Sequence, residues 1–147
     1  MKKTLIDHQI QPCPISCVST CLAMIAGNPC ADIIERFHLK YRNGGFSMRD
    51  MLNELRIPFQ SFDSADEPAL ECVGAYLCTV PSLNIRGGIH QIIVELDDDD
   101  YWVIDPVMGR EEKFYYVKMG AVKTDLEVEL GGFVIDAFID AEWLRAR

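Results

Sequence analysis

Prolines at positions 12 and 14 are the strongest local constraint in this chain. Together they bar Cys13 from helical backbone and remove two N–H donors just before a long apolar run. A helix can begin only beyond them. Ser16 is a favourable N-cap residue, and Cys17-Val-Ser-Thr-Cys-Leu-Ala-Met-Ile-Ala26 then runs to Gly27-Asn28-Pro29, a stop signal. The spacing predicts a helix over 17–26 with Cys17 in its first turn. Cys21, Met24 and Ile25 follow at i+4, i+7 and i+8, the stripe that a core-packed helix buries.

A second helix is expected from about Ala31 to His38, with Ile33, Ile34 and Phe37 as its apolar side. Gly44-Gly45 marks a loop, and Ser47-Met-Arg-Asp50 reads as a capping box with Asp in place of Glu. It opens a helix through Met51, Leu52 and Leu55 that must end before Pro58. A fourth helix is read over Pro68 to Tyr76. From Leu77 the pattern turns to apolar runs and alternation, giving strands at Leu77–Leu83, Ile89–Leu96, Tyr101–Ile104 and Lys113–Val117. The stretch from Leu126 to Leu144 is ambiguous between strand and helix. Helices first and an antiparallel sheet second make an α+β arrangement, and nothing divides residues 1–147 into more than one domain.

A chain of 147 residues can bury a core without metal or disulfides. A net charge of −9 with no basic cluster argues against a nucleic-acid partner. No apolar run approaches the roughly 18 residues of a membrane span, and Asp7 interrupts the start before a signal-peptide core forms, so the chain is expected to be cytoplasmic as synthesised. Cysteines 13, 17, 21, 30, 72 and 78 are then read as thiols. The run Asp97 to Asp100 reads as a solvated hairpin tip, since a calcium loop of EF-hand type needs spaced ligands and a central Gly.

A thiol becomes a strong nucleophile when a helix N-terminus and an imidazolium lower its pKa, and Cys17 alone stands at such a place. Without partners it would be an ordinary buried Cys. Candidate partners are His90, at the start of one strand, and Asp105, at the end of the next. A hairpin whose opposed residues sum to 195 sets His90 against Asp105, Ile92 against Val103 and Val94 against Tyr101, all on one face. Pro106 holds Asp105 extended, and Val107-Met108-Gly109 reads as a turn. A carboxylate can there fix one imidazole nitrogen while the other faces a nucleophile. The plainer reading is a hairpin with a half-buried His and a turn-forming Asp. His8, in an N-terminal segment expected to be flexible, and His38, at a helix end, are weaker candidates.

Gln11-Pro-Cys-Pro-Ile-Ser-Cys17-Val-Ser-Thr-Cys21-Leu-Ala-Met-Ile-Ala-Gly27 resembles the active-site segment of the C39 peptidases, papain-like domains that remove double-glycine leaders from bacteriocin precursors. That family carries a Gln six residues before its nucleophilic Cys and a small-residue helix after it. Gly88-Ile-His90 and Ile104-Asp105-Pro-Val-Met-Gly109 resemble its His and Asp segments, and Val80-Pro-Ser-Leu83 the strand before the His. Ser16 and Val18 stand where the family usually has an acid and a Gly, and Gln91 where it often has an aromatic. The resemblance reaches to about Val117. It implies a papain-like fold with Cys17 as nucleophile, His90 as base, Asp105 as orienter and Gln11 in the oxyanion hole, needing no cofactor or metal and taking a peptide or protein substrate.

Two other functions suit the same residues: a glutamine deamidase acting on a target protein, and a binding module of this fold without activity. A metal or iron–sulfur site from Cys13, Cys17, Cys21 and Cys30 fits poorly, because C-x3-C-x3-C lacks the two-residue gaps of such sites. The sequence leaves the oligomeric state open.

Overall fold

The computed structural model describes residues 3–61 and 72–147. Its first part is helical. Helix α1 spans Cys17–Ala26, α2 Cys30–Arg42 and α3 Met48–Glu54. The bounds of α1 are those its proline and glycine punctuation predicts, and Gly27 ends it in the left-handed conformation at φ 75°. Helix α2 extends four residues beyond the expected end and buries Ile33 and Phe37. Helix α3 opens with the reciprocal capping box, Asp50 N–H donating to the Ser47 hydroxyl at 3.2 Å and Ser47 N–H to the Asp50 carboxylate at 2.8 Å.

The strands are β1 (Gln60–Ser61), β2 (Gly74–Pro81), β3 (Ile89–Leu96), β4 (Tyr101–Ile104), β5 (Tyr115–Val117), β6 (Glu127–Glu129) and β7 (Val134–Asp140), followed by helix α4 (Ala141–Ala146). Five of them form an antiparallel sheet in the order β1-β7-β2-β3-β4. Strands β5 and β6 pair in parallel as a separate ribbon, so Tyr115–Val117 is a strand outside the main sheet. The helix expected over Pro68–Tyr76 is contradicted at its end, where Gly74–Tyr76 belongs to β2; residues 68–71 lie outside the described residues. The β-branched and aromatic residues of β2 gain partners on both sides, β3 and β7, and this outweighs any local helical tendency.

Two cores lie on the two faces of the sheet. On one face Ala75, Leu77, Ile93, Ile104, Ala137 and Ile139 pack against α1, α2 and α3. On the other, Tyr76, Cys78, Ile92, Val94, Ile135 and Phe138 pack against Tyr116 and Leu130 from the ribbon side. Residues 135 and 138 share a face because the register shifts between Leu77 and Cys78, leaving Asp136 as the extra residue of a bulge. That bulge breaks the alternation of β7 and accounts for the ambiguity of its sequence.

The β3–β4 hairpin is shifted by two residues from the expected pairing. Opposed residues sum to 197: Val94 faces Val103 and Leu96 faces Tyr101. The cause is the turn. Asp97 accepts from the N–H groups of Asp99 and Asp100 through its carboxylate and donates its own N–H to the Asp100 carbonyl, which closes a four-residue loop. A shift of two keeps every side chain on its face.

Both termini brace α1. Arg147 donates from its guanidinium to the carbonyls of Ile25 and Met24, orphans of the helix end, and to Leu5. The N-terminal segment is held down as well, which corrects the expectation of flexibility around His8: Glu95, 2% exposed, accepts the N–H groups of Leu5 and Ile6 at 2.9 and 3.0 Å. No helix among the described residues is long and apolar enough to cross a membrane. Because Glu95→Ala strands two buried donors, each costing about 1–3 kcal/mol, it should lower the urea midpoint and release residues 5–8 to proteolysis; an unchanged midpoint would show that the clamp contributes nothing.

Candidate active site

Strand β4 stops at Ile104, opposite Ile93, so the first half of β3 lacks a strand partner on that side. The start of α1 takes the vacant place. The Gln91 carbonyl accepts from the Cys21 thiol at 3.4 Å, and its backbone N–H is near enough to the Cys17 sulfur to lower that thiol's pKa. A helix N-terminus is thereby docked against the sheet next to His90.

Ser16 precedes this helix, but its hydroxyl does not cap it. It turns back to the proline loop, donating to the Cys13 carbonyl at 3.0 Å and accepting the Cys13 N–H at 3.3 Å. The expected side-chain cap gives way to this local pairing because Ser16 has φ −105° and ψ 21°, outside the extended conformation a cap needs. The first helical bond is Thr20 N–H to the Ser16 carbonyl, so the amides of Cys17, Val18 and Ser19 stay free of the helix ladder. One of them, Val18 N–H, lies near the Cys17 sulfur and helps to lower its pKa.

His90, whose side chain is 10% exposed, donates through Nε2 to Asp105 Oδ1 at 2.7 Å. Its other nitrogen, Nδ1, is free of that bond, and the imidazole lies close enough to the Cys17 thiol that each shifts the other's pKa. The structure thus brings Cys17 near a His90 that is bonded to Asp105. In the observed register His90 and Asp105 are diagonal neighbours and not directly opposed, a separation that an imidazole bridges. The Asp105 carboxylate, 1% exposed, also accepts Val107 N–H at 2.9 Å and Tyr116 N–H at 2.8 Å.

The electrostatics favour an ion pair. Burial alone would raise the Cys17 pKa, but His90 and the N–H groups of Gln91 and Val18 outweigh it, and the thiol is pulled below its ordinary value. Burial would lower the His90 pKa, but Asp105 and Cys17 raise it to about 9. Cys21 shows the contrast: fully buried, with acidic neighbours and no cation, its thiol is pushed well up.

Gln11 is 1% exposed and lines the same cleft as His90. Its backbone N–H donates to the Pro106 carbonyl at 2.8 Å, and its side-chain Nε2 to the Cys13 carbonyl at 2.8 Å. One N–H of that amide remains free, and Oε1 is buried without a partner. His8, a weaker sequence candidate, donates from Nε2 to the Asp105 carbonyl at 2.8 Å and so braces the Asp105 main chain. Its place depends on the path of an irregular segment, which no periodicity signals. His38 lies on α2 with Nδ1 buried and unpartnered. All six cysteines are free thiols, and no group of three or more His, Cys, Asp or Glu among the described residues is arranged to hold a metal. Cys17 and Cys21 point to different partners.

No protein-family model, curated protein or solved structure matches this chain.

The environment of Cys17 generates a labelling test. Cys72 is the exposed thiol, so access alone would make it react first. With limiting iodoacetamide near pH 6, a value chosen below the ordinary thiol range, peptide mapping should find Cys17 modified ahead of Cys72 and Cys21 last. Preferential labelling of Cys72 would mean that the Cys17 thiolate is not stabilised.

Proposed function

We propose that the protein is a cysteine-dependent amide hydrolase of papain-like fold and mechanism, acting as a peptidase on a peptide or protein substrate. The observation that carries this reading is a thiol of lowered pKa at a helix start, beside an imidazole that bonds a buried carboxylate with no other charge partner among the described residues. A structural His–Asp pair has no need of a thiol with a lowered pKa at its far end.

The Cys17 thiolate attacks the amide carbon, and the carbonyl electrons move to oxygen. The free N–H of Gln11 and the unpaired backbone amide of Cys17 are the donors for that oxyanion. His90, as imidazolium, protonates the leaving nitrogen; the C–N bond breaks and a thioester remains. His90, now neutral, takes a proton from water, hydroxide attacks the thioester, and the Cys17 thiolate departs. Asp105 holds the ring with Nδ1 toward the sulfur throughout.

Incubation of candidate peptides and proteins with the enzyme and with Cys17→Ala, read by mass spectrometry, tests the reading. Fragments support a peptidase, whereas an intact substrate heavier by about 1 Da marks a side-chain deamidase of the same mechanism. Neither product from a broad substrate set would favour a binding module.

Two predictions follow from the assigned roles. Since the imidazolium is the required acid and His90 titrates at about 9, kcat/KM should fall as pH rises through that value. Asp105→Asn removes the charge that raises His90 while keeping the side chain's size and one oxygen, which can still take the His90 and Val107 donors at the Oδ1 position but leaves Tyr116 N–H without its acceptor, so the alkaline limb should move to lower pH; a limb that stays put denies Asp105 this role. Gln11→Ala should lower turnover roughly 10²–10³-fold with little change in Cys17 alkylation rate, because alkylation forms no oxyanion. An equal loss in both rates would make Gln11 a structural support of the thiol.

A further inference from the structure

The cleft beside His90 is small, about 50 Å³, and opens to solvent; its walls include Gln11, Asn84, Arg110 and Lys113. In a chain of net charge −9 this is a basic recess. Arg110 and Lys113 are both half-buried, and neither makes an ion pair with any described residue. Lys118, the other half-buried lysine or arginine among the described residues, pairs with Asp100; the unpaired cations elsewhere, such as Arg42 and Arg86, are exposed. Two unpaired cations in one wall of a cleft leave their charge available to an anion that enters it.

The recess is built, not incidental. The segment carrying both cations hangs from Asp105 by successive turns, Met108 N–H to the Asp105 carbonyl at 3.1 Å and Arg110 N–H to the Val107 carbonyl at 2.9 Å. Gly109 has φ +100°, and a Cβ there would meet Ile10 Cδ1 at 2.7 Å, so only glycine lets this turn close against the strap that carries Gln11. The opposite wall is tied on by Asn84, whose side chain donates to the Phe114 carbonyl at 2.8 Å and accepts the Phe114 N–H at 2.9 Å.

Position relative to the chemistry gives the recess its meaning. His90 lines it and Cys17 does not. The acyl part of a substrate becomes bonded to the Cys17 sulfur, and the amine part must leave past the imidazole that protonates it. The recess therefore lies on the leaving-group side. We propose that Arg110 and Lys113 bind a carboxylate on the leaving-group side of the scissile amide, making them specificity-determining residues. The carboxylate is either an acidic side chain within the first two residues after the bond or the substrate's own C-terminus. This inference rests on the peptidase reading and narrows it, because ammonia released by a deamidase carries no carboxylate.

Quenched peptides of randomised acyl side, carrying Asp or Glu, Asn or Gln, or Lys after the bond, each as C-terminal acid and as amide, test it. Peptides with a carboxylate should show kcat/KM roughly 10–100-fold above neutral ones, mostly through KM, as a charge-assisted hydrogen bond provides. Preference for the acid over the amide identifies the terminus; preference for Asp or Glu identifies the side chain. Arg110→Gln with Lys113→Gln should collapse the ratio, and Arg110→Glu with Lys113→Glu should invert it toward Lys. Turnover without charge preference overturns this inference and leaves the hydrolase standing. Absence of turnover overturns the hydrolase, and affinity of the Cys17→Ala protein for the same peptides then decides the recess: equal affinity for acid, amide and Lys peptides rejects it.

Discussion

The buried carboxylate of Asp105 is the interaction on which the rest of this architecture depends. Its two oxygens take three donors, from His90 at the start of β3, from Val107 in the following turn and from Tyr116 in β5. Its carbonyl takes His8, and the next carbonyl, of Pro106, takes Gln11. One residue at the end of a short edge strand thus fixes the imidazole, the basic turn, the parallel ribbon and the N-terminal strap. A carboxylate so deeply buried costs several kcal/mol of lost hydration unless its lone pairs are filled. Here the groups that fill them are the ones a site needs to hold still.

The thiols show which effect controls charge in this molecule. Cys17, Cys21 and Cys78 are all substantially buried, and burial raises the pKa of each. Cys21 and Cys78 have only acidic or thiol neighbours and rise. Cys17 differs in having an imidazole and two backbone N–H groups, and for it the balance reverses. The reversal follows from truncation of β4: had that strand continued past Ile104, Gln91 would be bonded to it and α1 could not reach the sheet. Local strand length therefore sets the chemistry of a thiol more than seventy positions away in sequence.

Elements marked by their own residues were legible in the sequence. Helix α1 and strands β3 and β4 begin and end where proline, glycine and alternation put them. The hairpin register was not, because it turns on which backbone groups Asp97 satisfies, and four consecutive aspartates offer several choices. The candidate site survived that error: a two-residue slip preserves the face, and His90 still reaches Asp105 diagonally. Strand β7 was illegible for a different reason. Its partners β1 and β2 are distant in sequence, and the bulge at Asp136 erases the period that would have identified it. The path of residues 5–11 depends on buried partners such as Glu95, which sequence gave no ground to expect in a strand interior.

Ser16 connects folding to chemistry most directly. A serine just before a helix ordinarily offers its hydroxyl to the first-turn amides, and its loss there costs about 1 kcal/mol. Here the hydroxyl is bound to Cys13, held by the same prolines that delay the helix. The amides it would have covered remain available beside the Cys17 sulfur, where the helix dipole favours negative charge. On the proposed reading, donors left uncovered here are free to face an anion. Helix α2 also lacks a side-chain cap, because Pro29 precedes it, but at α1 a residue able to cap, Ser16, is turned away from the amides beside the thiol whose pKa is lowered.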